Sequence, residues 1–198
     1  MLDLTPKFCI VRHQRMLPTF NTTRLTLRPF SLLDAIEVQR LAGDARIAET
    51  TINIPHPYLE GVAEEWISKH QSMFADKKLL TLAVVNRQDG QLVGAASLLD
   101  WQHTQARAEL AYWIGAPYWG MGYCTEAVVE LVRHAKEELK ITRIVGRCFS
   151  RNKASERVML RAGLSPEGLL PRHVLKNGRY EDISLFGLNT PCRGVDDL

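Results

Sequence analysis

Residues 107–139 constrain this chain more than any other stretch, because the spacing of the apolar residues changes period there within a few positions. Arg107-Ala-Glu-Leu-Ala-Tyr-Trp-Ile114 has the aromatic and branched content of a strand. Residues 125–139 then place Val128, Leu131, Val132, Ala135 and Leu139 on one helical face. Between them runs Gly115-Ala-Pro-Tyr-Trp-Gly-Met-Gly-Tyr123. A strand that feeds a helix through a glycine loop suits an anion, since the first helical turn leaves backbone N–H groups unpaired and carries the positive end of the dipole. Gly120 and Gly122 remove side chains that would keep a phosphate off the backbone, and the amides of residues 121–124 are the natural donors. Alone, Gly-x-Gly is equally a tight turn. It is not a dinucleotide fingerprint, because no third glycine follows at that spacing, nor a phosphate loop ending in Gly-Lys-Ser/Thr.

The remaining chain predicts a mixed α/β domain of the α+β class. Arg24-Leu-Thr-Leu-Arg-Pro-Phe30 alternates as a strand. Ser31 and Asp34 resemble a capping box, after which Leu33, Ile36 and Leu41 suggest a helical stripe. Two prolines make Asn53-Ile-Pro-His-Pro-Tyr58 a loop, and Ala63, Ile67, His70 and Phe74 recur at helical spacing. Residues 79–85 and 91–99 form a hairpin about the turn at 86–90. A strand over 144–149, a helix over 154–162 stopped by Gly163, and strands at 169–175 and 180–188 about Asn177-Gly178 complete the order. That gives about seven strands and about four helices.

A chain of 198 residues suffices for one core, and the expected division is an extension at 1–22, one domain over 23–190 and a tail at 191–198. A formal charge of +3 spread along the chain gives no basic stripe, so neither nucleic acid nor an anionic membrane is an expected partner. Cys9, Cys124, Cys148 and Cys192 have no zinc spacing, so no metal is expected, and they read as reduced thiols. Phe8 to Val11 is too short for a signal-peptide core and nothing reaches the ~20 apolar residues of a membrane span. A cytoplasmic location follows as the expectation.

Five motifs in order carry a resemblance to a known family. Thr23-Arg-Leu-Thr-Leu-Arg-Pro-Phe30, Ile54-Pro-His-Pro-Tyr58, Ala108-Glu-Leu-Ala-Tyr-Trp-Ile114 with Pro117-Tyr-Trp-Gly-Met-Gly-Tyr-Cys-Thr-Glu-Ala127, Asn152-x-x-Ser155 and Asn177-Gly-Arg-Tyr-x-Asp182 together resemble the GNAT N-acetyltransferases, in the branch that acetylates ribosomal-protein N-termini. The resemblance implies a mostly antiparallel central sheet, acetyl-CoA as cosubstrate, and direct attack by an amine in a ternary complex. It implies a central strand that splays from its neighbour, with Tyr112, Trp113 and Ile114 along the pantetheine arm. Trp119, Gly120, Met121, Gly122, Tyr123, Cys124 and Thr125 form the pyrophosphate cradle by the same comparison. Met121 stands where the branch often has lysine, and Cys124 replaces a common alanine, as a small packed residue or a thiol activated at a helix N-terminus.

The resemblance places Asn152 on the coenzyme arm, Ser155 at the departing sulfur and Arg157 at a nucleotide phosphate. Each also has an ordinary reading: helix cap, capping or solvated hydroxyl, solvated cation. Glu109 is the best acidic base candidate, since burial among apolar neighbours would raise its pKa, while pairing with Arg107 or another cation is equally open. In residues 171–175 only His173 could titrate usefully. An α-amine, with pKa near ~8, is roughly ten percent neutral at pH 7, whereas lysine near ~10.4 is almost wholly charged. Weak evidence for a dedicated base therefore favours an α-amine acceptor, ahead of a small amine such as an antibiotic or polyamine, or a non-catalytic acyl-CoA-binding role. Monomer and homodimer both remain open.

Overall fold

The computed structural model describes residues 16–190; Cys9, Cys192, the apolar run at 8–11 and the expected tail lie outside the described residues. The elements are β1 (Phe20–Asn21), β2 (Leu25–Arg28), α1 (Ala35–Ala42), α2 (Ala45–Thr50), α3 (Val62–Ser68), α4 (His70–Ala75), β3 (Leu80–Asn86), β4 (Leu92–Gln102), β5 (Arg107–Ile114), α5 (Tyr123–Glu137), β6 (Arg143–Phe149), α6 (Lys153–Arg161), β7 (Ser165–Lys176) and β8 (Arg179–Asn189). They form one eight-stranded sheet in the order β1-β2-β3-β4-β5-β6-β8-β7, with β5–β6 its one parallel pair among the described residues.

Helices cover both faces, which is why β3 is buried at every position from Leu80 to Val85 and apolar at all but Thr81, whose hydroxyl donates to Ser97 (3.0 Å). Leu80, Leu82 and Val84 face the side closed by α5, with Val128, Leu131 and Val132. Ala83 and Val85 face α1, α2 and α3 across Val38, Leu41, Ile47 and Ile67. The chain passes β5-α5-β6, the crossover that parallel neighbours require, and so sets the N-terminus of α5 at the carboxyl end of β5.

Four features differ from the sequence reading. The sheet has eight strands because Phe20–Asn21, inside the predicted extension, pairs with β2. The described residues hold six α-helices because Gly43-Asp44 interrupts the first, Asp44 capping α2 through the Arg46 N–H, and a break at Lys69 divides the second. The buried face of α1 is Ala35, Val38, Leu41 and Ala42, while Leu33 and Ile36 are exposed. Small alanines let α1 lie close to the sheet, a preference that large-residue periodicity does not reveal. The Ser31/Asp34 capping box and the positive-φ turn at Asn177-Gly178 are both present.

Candidate active site

β5 and β6 part company halfway along. Residues 107–110 pair with 143–146, after which β6 continues on β8 as far as Phe149 and β5 continues on β4 as far as Ile114. Residues 111–114 thus present an open backbone edge. The Gly115 N–H donates to Val93 on β4 (2.9 Å), so alternation turns the N–H groups of Tyr112 and Ile114 towards the opening. The Ile114 carbonyl is taken by the Trp119 indole N–H (2.6 Å), which folds the following loop back over the strand end.

That loop turns at Gly120 and Gly122, with φ of 79° and 80°. These values favour glycine, because a Cβ meets the carbonyl there. No side chain caps α5, and the N–H groups of Tyr123, Cys124 and Thr125 have no partner among the described residues, while that of Glu126 donates to Gly122. The loop is held from behind. Arg24 donates to the Met121 carbonyl (2.9 Å) and to Glu126 (2.7 Å), its guanidinium lies over the Tyr123 ring, and Glu126 also accepts from Thr22 and the Arg24 N–H. Glu126 is held below the usual carboxylate range by these hydrogen bonds, which outweigh its desolvation. Its charge, in the first turn of α5, is offset by Arg24.

A cavity of about 410 Å³ follows the open edge onto the helix N-terminus. Every predicted coenzyme position lines it except Met121, whose side chain is half exposed outside. Arg161, one turn beyond Arg157, joins the wall and was missed in sequence because a lone arginine on a helix carries no signal. Neither arginine has a carboxylate partner among the described residues. Free N–H groups, a helix N-terminus and two free guanidiniums match a diphosphate carrying a further phosphate.

A second cavity of about 390 Å³ is bounded by residues 50–55, Tyr58, Val62, Trp66, Glu109 and Arg147. It shares Thr50, Thr51, Tyr112, Trp113 and Ser155 with the first. Alternation along β5 sends Leu110 and Ile114 into the core under α5 and Trp113 into the core under α1–α3. The two cavities meet along the open edge at Tyr112 and Trp113.

At their junction the Tyr112 hydroxyl and Ser155 Oγ lie 2.8 Å apart, and the phenol also donates to the Ser155 carbonyl (3.1 Å). Burial pushes the Tyr112 phenol well above its ordinary range, so it stays a neutral donor. Gly146 lacks the Cβ that would collide with Met159, which lets α6, and with it Ser155, lie against β6. Burial raises the Cys124 thiol to about 12 and Cys148 to about 11, so Cys124 is a packed thiol and not an activated one.

Two predicted residues have commitments of their own. Asn152 accepts from the Ser155 N–H (3.1 Å) as the cap of α6 and donates to the Thr50 carbonyl (3.2 Å), leaving its amide engaged within the protein. Glu109 is not isolated among apolar groups: Arg147 on β6 grips it through Nε (2.9 Å) and Nη2 (2.8 Å). Its carboxylate faces the second cavity as half of an ion pair. His173 is exposed in the β7 bulge and lines neither cavity.

Residues 24–165 match the Acetyltransferase (GNAT) domain family. Over 178 residues, 89% of this chain and 99% of the relative, the sequence is 24% identical to the N-acetyltransferase YoaA of Bacillus subtilis (strain 168). Over 99 residues, 50% of this chain and 55% of the relative, it is 28% identical to the ribosomal-protein-serine acetyltransferase of Escherichia coli (strain K12). Its fold superposes on RimL, a ribosomal alpha-N-protein acetyltransferase solved with coenzyme A, with TM-score 0.80, 17% identity and coverage of 87% of this chain and 98% of that one. With a splayed strand, an uncapped helix N-terminus and this match over most of its length, the chain belongs to the GNAT acetyltransferases and is an acetyl-CoA-dependent N-acetyltransferase.

Proposed function

We propose that this enzyme acetylates the N-terminal α-amine of a protein or peptide by direct attack on acetyl-CoA in a ternary complex. The observation that carries the reading is the meeting of two cavities at the open edge of β5, one with groups suited to phosphates and the other nearly neutral. In this reading the pyrophosphate rests on the N–H groups of the loop and first turn of α5, and the pantetheine arm pairs with the exposed N–H groups of residues 112 and 114. Arg157 and Arg161 meet the nucleotide phosphates. Tyr112, Ser155 and the shared wall surround the point where thioester and amine come together.

The charges lining the second cavity favour an α-amine over a polyamine. Its charged lining residues are Glu109 and Arg147, which neutralise one another, and the rest is largely apolar or aromatic. A polyamine would desolvate several charges against one carboxylate already spoken for. A single α-amine needs less: the Glu109 carboxylate orients it by accepting a hydrogen bond, and a water can carry off its proton, because an amine of pKa near ~8 is already partly neutral at pH 7. The Ser155 hydroxyl, oriented by Tyr112, donates to the departing thiolate, which removes the need for a charged acid at that position.

Incubating acetyl-CoA with hexapeptides of varied first residue, each containing one internal lysine, and locating the acetyl group by fragment mass spectrometry tests the reading. Acetylation at the first nitrogen is expected. Modification of lysine or of spermidine in preference to every peptide terminus contradicts it.

A further inference from the structure

Residues 51–55 form the wall common to both cavities or adjacent to it, yet residues 52–58 make no backbone-to-backbone hydrogen bond among the described residues. The neighbouring carbonyls are held by side chains from the far end of the sequence. Arg151 donates to the Glu49 carbonyl (2.8 Å) and Asn152 to that of Thr50 (3.2 Å). Lys176 Nζ donates to the carbonyls of both Ile52 (3.2 Å) and Ile54 (2.9 Å).

Lys176 is an unusual cation. It is the last residue of β7, just before the two-residue turn at Asn177 and Gly178, both at positive φ, so the strand end that carries it is well fixed. No carboxylate among the described residues pairs with it; its ammonium instead donates to the two carbonyls, 124 and 122 residues away. Burial lowers its pKa, in keeping with an ammonium partly withdrawn from water. A charged donor shared between two carbonyls fixes their spacing, which two separate neutral bonds on an irregular loop would not.

We infer that Lys176 is a positioning residue of the acceptor site: it pins the carbonyls of Ile52 and Ile54 and so sets the wall, formed by residues 51–55, against which the acceptor lies. It touches neither coenzyme nor reacting atoms. It also couples that wall to the β7–β8 hairpin, which Arg151 joins through Glu181 (3.0 Å). The inference rests on reading the second cavity as the acceptor's, but the tether itself can be tested without turnover.

The test uses methyl NMR of full-length protein labelled at isoleucine δ1, with coenzyme A affinity measured by calorimetry. In Lys176→Met, which keeps the stem and removes the donor, the Ile52 and Ile54 methyls should shift or broaden. The buried Ile141 and Ile144 methyls and coenzyme A affinity should remain as in wild type, and Lys176→Arg should restore the Ile52 and Ile54 signals. With the best hexapeptide of the panel, KM for the peptide should rise about tenfold, a loss of about 1.4 kcal/mol, with KM for acetyl-CoA unchanged. Should Lys176→Met lose the Ile141 and Ile144 dispersion, Lys176→Gln takes its place in the same comparison. Wild-type Ile52 and Ile54 signals in a folded variant overturn the tether. Shifted signals with no turnover in any variant or in wild type would instead overturn the acceptor reading.

Discussion

Lowering the pH should weaken this fold measurably at one buried side chain, His70. His70, 3% exposed, is packed against Trp66 (ring centroids 4.4 Å apart) and Phe30 (5.5 Å), and neither ring nitrogen has a hydrogen-bond partner among the described residues. Burial lowers its pKa from 6.5 to about 4. The unfolded chain therefore takes up a proton between those values that the native state refuses, so stability is full above 6.5 and falls as pH drops towards 4. At pH 5 the loss is about 2 kcal/mol, and the whole shift is worth about 3 kcal/mol. Urea unfolding of wild type and His70→Phe at pH 7.5 and pH 5 measures it, since carboxylate titration common to both cancels. Wild type should lose about 2 kcal/mol more than the variant over that interval. Equal losses would refute the reasoning. Because Trp66 lines the second cavity, the same protonation should disturb that wall first.

Three further perturbations address the coenzyme side. Gly122→Val forces a branched residue into φ near 80° beside Arg24; coenzyme A affinity by calorimetry should fall at least about tenfold, with a stability cost of about 1–2 kcal/mol. Arg24→Met releases the Met121 carbonyl and leaves Glu126 without its cation; coenzyme A binding should weaken about tenfold at low salt, a charged hydrogen bond being worth about 1.5–3 kcal/mol. Ser155→Ala should lower kcat by about 10- to 100-fold with KM for acetyl-CoA little changed, within the range of a lost proton donor. An unaltered kcat would make Ser155 structural.

How much of this was legible in sequence depended on the range of the interactions. β5 occupies the same residues that its composition marked, and α5 begins two residues before the expected start at residue 125, because strand and helix periods are local. The glycine turn was legible for the same reason: glycines, strand end and helix start are contiguous. The buried face of α1 was not, since Ala35 and Ala42 do the packing that Leu33 and Ile36 seemed suited to. Asn152 takes the helix-cap alternative, lining the groove while spending its amide on a cap and a tether. The Arg147 partner of Glu109 is 38 residues away. Lys176 and Arg24 reach across more than ninety positions, and sequence spacing carries no record of such contacts.

The central claim is that the phosphate-binding groove and the neutral cavity serve one transfer. Its most direct measurement is release of the coenzyme A thiol from acetyl-CoA in the presence of peptides with free N-termini, alongside the same peptides N-acetylated and spermidine. The account predicts release with the free peptides and none with the blocked ones. Tight coenzyme A binding without thiol release from any amine would contradict it.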